Sequence, residues 1–302
     1  MGAIRVGTCS WTEKALIESG EFYPKGVRTP EARLRFYAEQ FDTVEIDSAY
    51  YAIPSERNAR LWASRTPDNF TFHVKAYGAL TGHGVDPRTL PPDILSELTP
   101  KDRTARTVYL KDKDTVTELG IRLKQSIYPL AYAGKLGVVL FQFPPNFRYD
   151  RKNLDTLLEW SQFMSPYAIA VEFRDASWLA PEHENGVFHF LRKHQIPYVC
   201  ADEAQGKTGS VAFVPAVTAK IAYVRFHGRS LFWNLKGATT SQKYGYDYSE
   251  DELRSFVPAI AGLAQRAETV FLMFNNHGSP SVKNAAILRG LVSPNNLDYR
   301  NS

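Results

Sequence analysis

Cysteine is nearly absent: 302 residues contain only Cys9 and Cys200. No disulfide framework and no CxxC pair can be drawn from them, which fits a reducing compartment. No run approaches the ~18 apolar residues of a membrane span. The opening MGAIRVGTCSW enters a β-rich run at once and lacks a leader-peptide pattern, and residue 6 is Val rather than the Ser or Thr of a myristoylation signal. A cytoplasmic location without a membrane partner is therefore expected. There is no glycine-rich phosphate loop, dinucleotide fingerprint or HExxH, so no nucleotide cofactor is implied. Internal repeats, flexible linkers and dense Lys/Arg runs are also missing. The net charge of +4, from 36 basic and 32 acidic residues, permits an anionic partner without requiring one.

Several β-rich apolar runs share one grammar: their last residues become polar or ionisable at alternate positions. They are IRVGTCSW, TVEIDSAYY, FTFHVKAY, GVVLFQFPP, IAVEFRDASW, YVCADE and AYVRFHGR, followed by TVFLMFNNHG. Eight such strands, mostly separated by helical segments, predict a single α/β domain over residues 1–302, a (β/α)8 TIM-like barrel. Barrels of this kind keep their chemistry at the C-terminal mouth. Successive strand side chains take opposite faces, so Glu45 and Asp47 share one face, as do His73 and Lys75, Glu172 and Arg174, and Arg225 and His227. The helix-covered outer face must be apolar, so these charges belong inside, where burial requires them to pair or to meet a polar ligand.

Helix starts are legible as caps. Thr29-Pro30-Glu31, Ser55, Asp150 and the Ser249/Glu252 capping box each precede a helical segment, and Ser279-Pro280 opens the last one. Leu119, Leu123, Ile127 and Leu130 form one stripe of a helix from Asp114 to about Ala133. Two connections break the rhythm, Lys75 to Leu136 and Arg225 to Ser249. Long connections of this kind commonly serve as lids or binding loops, and both are expected to overhang the mouth. The stretch between Asp202 and Ile221 is too short and glycine-rich for a full helix.

The motifs GTCSW (7–11), FYP (22–24), TVEIDSAYYAIP (43–54), TPDNFTFHVKAYGALTGH (66–83), GVVLFQFPPNF (137–147), VEFRDASW (171–178), YVRFHGR (223–229) and FNNHGSPSVKNAAIL (274–288) resemble, in order, those of the DUF72 (YecE-like) family. The resemblance covers nearly the whole chain. It implies a TIM-like barrel, often compared with the endonuclease IV and xylose isomerase type, and no established reaction. The family commonly has GTSGW where this chain has GTCSW, and Asn where this chain has Asp47; the extra carboxylate changes the charge of the mouth.

The candidate site follows from these strand ends. Glu172 and Asp202 are candidate acid/base or metal-facing carboxylates, because paired carboxylates divide those roles when their surroundings split their pKa values. His227 and His277 are candidate proton-transfer groups. Lys75, Arg174 and Arg225 suit an anion. Glu45, Asp47, His83, Gln142 and Asn275 are expected to contact ligand, Asn276 to orient it, and Trp11 and Trp233 to offer aromatic faces; Tyr51 and Trp178 are expected to pack. The bland alternative is a collar of salt bridges, Glu172 with Arg174 or Lys75 and Asp202 with Arg225. Histidines and carboxylates on separate strands also suit a divalent metal, but no short ligand spacing marks one, and His183, His189 and His194 are expected at the surface. Asn275 to Gly278, with the N-terminus of the last helix, form a candidate phosphate cradle. Cys9 faces inward, where a buried inert thiol is the simpler reading.

Three functions fit this set. The first is a hydrolase or phosphoesterase acting by acid/base chemistry on an anionic or phosphate-containing small molecule. The second is a nucleic-acid-binding or processing barrel. The third is a non-enzymatic ligand-binding barrel. The oligomeric state does not follow from the sequence.

Overall fold

The computed structural model describes residues 1–206, 210–235 and 237–293. Positions 207–209 and 236, inside two of the connections singled out above, lie outside the described residues. Eight strands run parallel: β1 Ala3–Thr8, β2 Thr43–Ile46, β3 Thr71–Lys75, β4 Leu136–Gln142, β5 Ile169–Glu172, β6 Val199–Asp202, β7 Ile221–Phe226 and β8 Thr269–Phe274. The sheet order is β5-β4-β3-β2-β1-β8-β7-β6. A single bridge from Val171 to Tyr198, with the Val171 amide donating to the Pro197 carbonyl at 2.9 Å, joins the two end strands. The expected (β/α)8 barrel is the observed fold.

Around it run α1 Lys14–Ser19, α2 Pro30–Gln40, α3 Glu56–Ser64, α4 Pro92–Glu97, α5 Pro100–Thr104, α6 Lys113–Tyr132, α7 Arg151–Met164, α8 Glu184–Lys193, α9 Thr240–Tyr244, α10 Glu250–Ala264 and α11 Ser279–Leu291. The caps act locally. Thr29, Ser55 and Asp150 accept from first-turn amides, and Ser249 with Glu252 forms a full capping box. Helix α11 is the exception: it follows Gly278, which lies at φ 77° and provides no side-chain cap. The α6 stripe is fully buried at Leu119, Leu123, Ile127 and Leu130. Among the described residues, no helix occupies the stretch between Asp202 and Ile221.

Alternation sorts the strand side chains into two cores. Val138 and Leu140, Ala170, Val199, Tyr223, and Phe271 and Met273 fill the barrel interior with Cys9. Their neighbours Val139 and Phe141, Val171, Cys200, Val224 and Leu272 join the much larger layer between sheet and helices. Apolar packing thus plugs the barrel beneath the mouth, and ionisable side chains at the strand ends sit on that plug. No helix among the described residues is long and apolar enough to cross a membrane.

Candidate functional site

Arg225 is the centre of the mouth. Its side chain is fully buried, and a guanidinium there requires several acceptors. It donates from Nη2 to Glu45 Oε1 at 2.6 Å and from Nη1 to Glu172 Oε2 at 2.8 Å. Asp47 Oδ1 lies 3.4 Å from the same Nη2. Tyr223, two residues earlier on the inward face of β7, donates its hydroxyl to Glu45 Oε2 at 2.8 Å.

Glu172 is saturated. Its Oε1 accepts from Gln142 Nε2 at 2.8 Å, from Arg174 Nη1 at 3.2 Å and faces His227 Nε2 at 2.8 Å. Burial pushes this carboxyl up, but His227, Arg225 and Arg174 outweigh burial and hold it well below the usual range. It is a fully buried counter-ion, with both oxygens bonded inside this network. His227 is committed at both nitrogens, since Asn275 Nδ2 lies 2.9 Å from its Nδ1. With Asn275 donating, the imidazole is neutral and carries its proton toward Glu172; burial lowers its pKa to about 4. Two residues proposed for proton transfer therefore form a rigid support.

Glu45 and Asp47 behave differently from Glu172. They share Arg225 Nη2, and their environments push their pKa values apart. Burial first, and the Asp47 charge after it, raise Glu45 to about 8. Burial also works to raise Asp47, but Lys75, Arg225 and the Glu45 carboxyl together hold it below the ordinary value. Glu45 is sealed, whereas Asp47, on the 3-10 turn Asp47–Tyr50 just past β2, keeps 26% of its side chain exposed. Lys75 Nζ stands 3.5 Å from Asp47 Oδ1 and 4.9 Å from the centre of the Tyr50 ring. His83, bonded to Thr81 and edge-on to Tyr50, completes this side; burial and then Lys75 lower it to about 4.

Asp202 does not join the set. On β6 the inward positions are Val199 and Ala201, so Asp202 shares the outer face with Cys200. There Arg229 holds it in a two-pronged bond, with Nε at 3.0 Å and Nη2 at 2.7 Å, and the Tyr248 hydroxyl donates to it at 2.6 Å. The expected Asp202–Arg225 pair is replaced by this clamp. The inward residue is its neighbour Glu203, which the sequence reading passed over; its Oε2 lies 2.7 Å from Arg174 Nη2. Continuing the parity of Val199 and Ala201 by one step was the signal that could have found it. Every cation of the expected anion-binding set thus faces a carboxylate.

Other expectations need correction. Trp11 is 7% exposed and packs edge-on against Trp62 and Phe72 in the outer core, because the chain leaves β1 at Thr8 before reaching it. Tyr51, expected to pack, is 67% exposed. His73 lies deeper than the mouth, between Tyr223 and Phe271, and burial lowers it to about 3. Asn276 commits only its Nδ2 to the scaffold, donating to the Tyr246 carbonyl at 2.8 Å and to Asn284 Oδ1 at 2.9 Å. The expected phosphate cradle already holds an anion from the chain itself, since Glu13 Oε2 accepts from the Gly278 amide at 3.0 Å and from Leu16, while Oε1 accepts from Ala15. Cys9 is buried beside Arg225, 3.6 Å from Nη2, and burial raises its thiol well above the usual value. Trp178 packs at the core as expected.

His277 flanks the cradle. Its ring stacks on Tyr244 at 4.8 Å, its Nδ1 lies 3.9 Å from Glu13 Oε1, and burial lowers its pKa. Trp233 meets Tyr244 edge-on at 4.8 Å. A cavity of about 250 Å³ opens between Asp47, Tyr51, Ser10, Glu13 and His277. Among the described residues no group of three or more His, Cys, Asp or Glu is arranged to hold a metal ion.

The fold and this ionic mouth define a (β/α)8 barrel protein with a polar site at the ends of its strands. The chain belongs to the DUF72 family: the model described as "Protein of unknown function DUF72" matches residues 5–300. It is 30% identical over 279 residues to the UPF0759 protein YunF of Bacillus subtilis (strain 168), covering 91% of this chain and 89% of that protein. Among solved structures it is similar to a DUF72 family protein of Thermotoga maritima MSB8, with 30% identity, a TM-score of 0.73 and coverage of 96% of this chain and 99% of the other. A DUF72 family protein of Enterococcus faecalis V583 matches with 26% identity, a TM-score of 0.77 and coverage of 96% and 95%.

Proposed function

We propose that this barrel is an acid/base enzyme of hydrolase type, with Asp47 as general base, acting on a small polar molecule in the cavity at the mouth. One observation carries the reading: Glu45 and Asp47 share Arg225 Nη2, yet Glu45 is sealed and Asp47 faces the cavity. Two adjacent carboxyls with pKa values driven apart are a recurring way to keep an acid and a base side by side near neutral pH. Asp47 is the carboxylate that can reach a water or substrate proton. Glu45 backs it with a proton, Lys75 holds its charge in place, and Glu172, His227 and Asn275 fix Arg225 beneath them. This assignment moves the chemistry from Glu172 and Asp202 to Asp47.

The test is a comparison of the wild-type protein with Asp47→Asn on a mass-resolved panel of esters, phosphomonoesters, lactones, amides and glycosides. The reading expects a conversion that Asp47→Asn loses by at least ~100-fold, the scale of general-base catalysis, in a variant that still melts cooperatively. A panel left unconverted, or converted equally by the variant, refutes it. The saturation of Glu172 favours a second reading, a ligand-binding barrel without turnover; under that reading Asp47→Asn changes binding alone.

A further inference from the structure

The cavity beside Asp47 has a definite electrostatic character. Its lining includes two carboxylates, Asp47 and Glu13, and no Lys or Arg; Lys75 and Arg225 reach Asp47 Oδ1 from outside the lining, at 3.5 Å and 3.4 Å. Three of the backbone amides around it are already used. The Gly278 amide goes to Glu13, the His277 amide to the Tyr244 carbonyl at 2.9 Å, and the Asn275 amide to the Phe226 carbonyl at 2.8 Å. A phosphate or carboxylate placed between Asp47 and Glu13 would face two carboxylates.

Asn276 supplies an independent sign of the missing partner. This side chain is 4% exposed and also lines the cavity. Its amide nitrogen is committed to Tyr246 and Asn284, and its amide oxygen has no hydrogen-bond partner among the described residues. Buried acceptors without a donor are rare in folded proteins and call for one. Aromatic rings flank the same space, with Tyr51 exposed at its edge and His277 stacked on Tyr244 behind it. Rings beside carboxylates are a combination that favours a cationic group.

We infer that the ligand of this cavity is a small amine, which places a protonated amino group between Asp47 and Glu13. The inference rests on the reading of Asp47 as the working carboxylate and names the chemistry it faces. It reverses the sequence expectation of an anionic ligand at this position. An ammonium group supplies three donors, which suits carboxylate and amide oxygens with no donor of their own to offer back.

Isothermal titration with ethanolamine and 1,4-diaminobutane, set against acetate and inorganic phosphate at matched ionic strength, tests this directly. The expected result is saturable binding of at least one amine, weakened ~10-fold or more in Asp47→Asn and weakened in Glu13→Gln, with no saturable binding of either anion. Glu13 caps two helices, so Glu13→Gln is read only if its melting curve stays cooperative, and Asp47→Asn decides the matter otherwise. Saturable phosphate binding, or amine binding indifferent to Asp47→Asn, or no amine binding, overturns the inference. Turnover that depends on Asp47 while amines fail to bind sinks this inference and leaves the acid/base reading standing.

Discussion

Replacing Arg225 with Met removes the one group that joins three carboxylates. The guanidinium is fully buried, at 2.6 Å from Glu45 and 2.8 Å from Glu172. Because Glu45 is held protonated near neutral pH by burial, the charges stranded by Arg225→Met are chiefly Glu172 and Asp47. Glu172 keeps Arg174, Gln142 and His227, whereas Asp47 keeps Lys75. Breaking a buried ion pair by removing one partner costs about 3–5 kcal/mol. In a chain of this length each kcal/mol corresponds to roughly 2 °C of melting temperature, so a fall on the order of 6–10 °C is expected. Circular dichroism melts and urea midpoints read it. Combining Arg225→Met with Glu172→Gln removes one stranded charge, so the double variant should lose less than the sum of the two single losses, with a coupling of about 0.5–3 kcal/mol. An Arg225→Met protein that melts within about 1 °C of wild type, or strictly additive losses, would show that the network is not what holds the mouth together.

Acid should unfold the protein partly through two histidines. His73 and His227 have folded pKa values lowered by burial, to about 3 and about 4, against about 6.5 when unfolded. Both contribute stability that is complete above the unfolded value and is lost as pH falls toward the folded values, with a slope of up to about 1.4 kcal/mol per pH unit for each group. His73→Phe should flatten that slope between the two limits by one group's share; an unchanged slope contradicts the assignment. Asp202→Asn should lower the melting temperature by loosening the Arg229 and Tyr248 clamp while leaving any Asp47-dependent conversion intact, and loss of that conversion would return Asp202 to the chemistry. Gly7→Ala places a Cβ 2.1 Å from the Thr43 carbonyl oxygen, a backbone atom that cannot swing aside. It should cost about 1–3 kcal/mol in chemical denaturation, and a neutral result contradicts the strand spacing.

What was legible in the sequence were short-range regularities. Alternation along β2, β3, β5 and β7 puts Glu45, Lys75, Glu172 and Arg225 on one face because strand geometry permits nothing else. The caps at Thr29, Ser55, Asp150 and Ser249 need only residues three or four apart. On β6, Cys200 and Asp202 compete with Ala201 and Glu203 for the same face, and only the packing of Val199 in the interior decides between them. The cradle reading failed for a different reason. Its occupant, Glu13, lies 265 positions from Gly278, a contact no local pattern signals. Trp11 was misplaced because β1 ends at Thr8, after which alternation no longer governs orientation. The split between Glu45 and Asp47 depends on how far each is buried, which two carboxylates two residues apart do not reveal.

Infrared pH titration reads the split between Glu45 and Asp47 most directly. Wild-type protein is compared with Glu45→Gln and Asp47→Asn from pH 5 to 9. A protonated-carboxyl band is expected to persist through neutral pH, to disappear near about 8 as Glu45 ionises, and to be missing in Glu45→Gln, while Asp47 contributes an ionised band throughout. Complete ionisation of every carboxyl by pH 6 would contradict it, and with it the choice of Asp47 as the base.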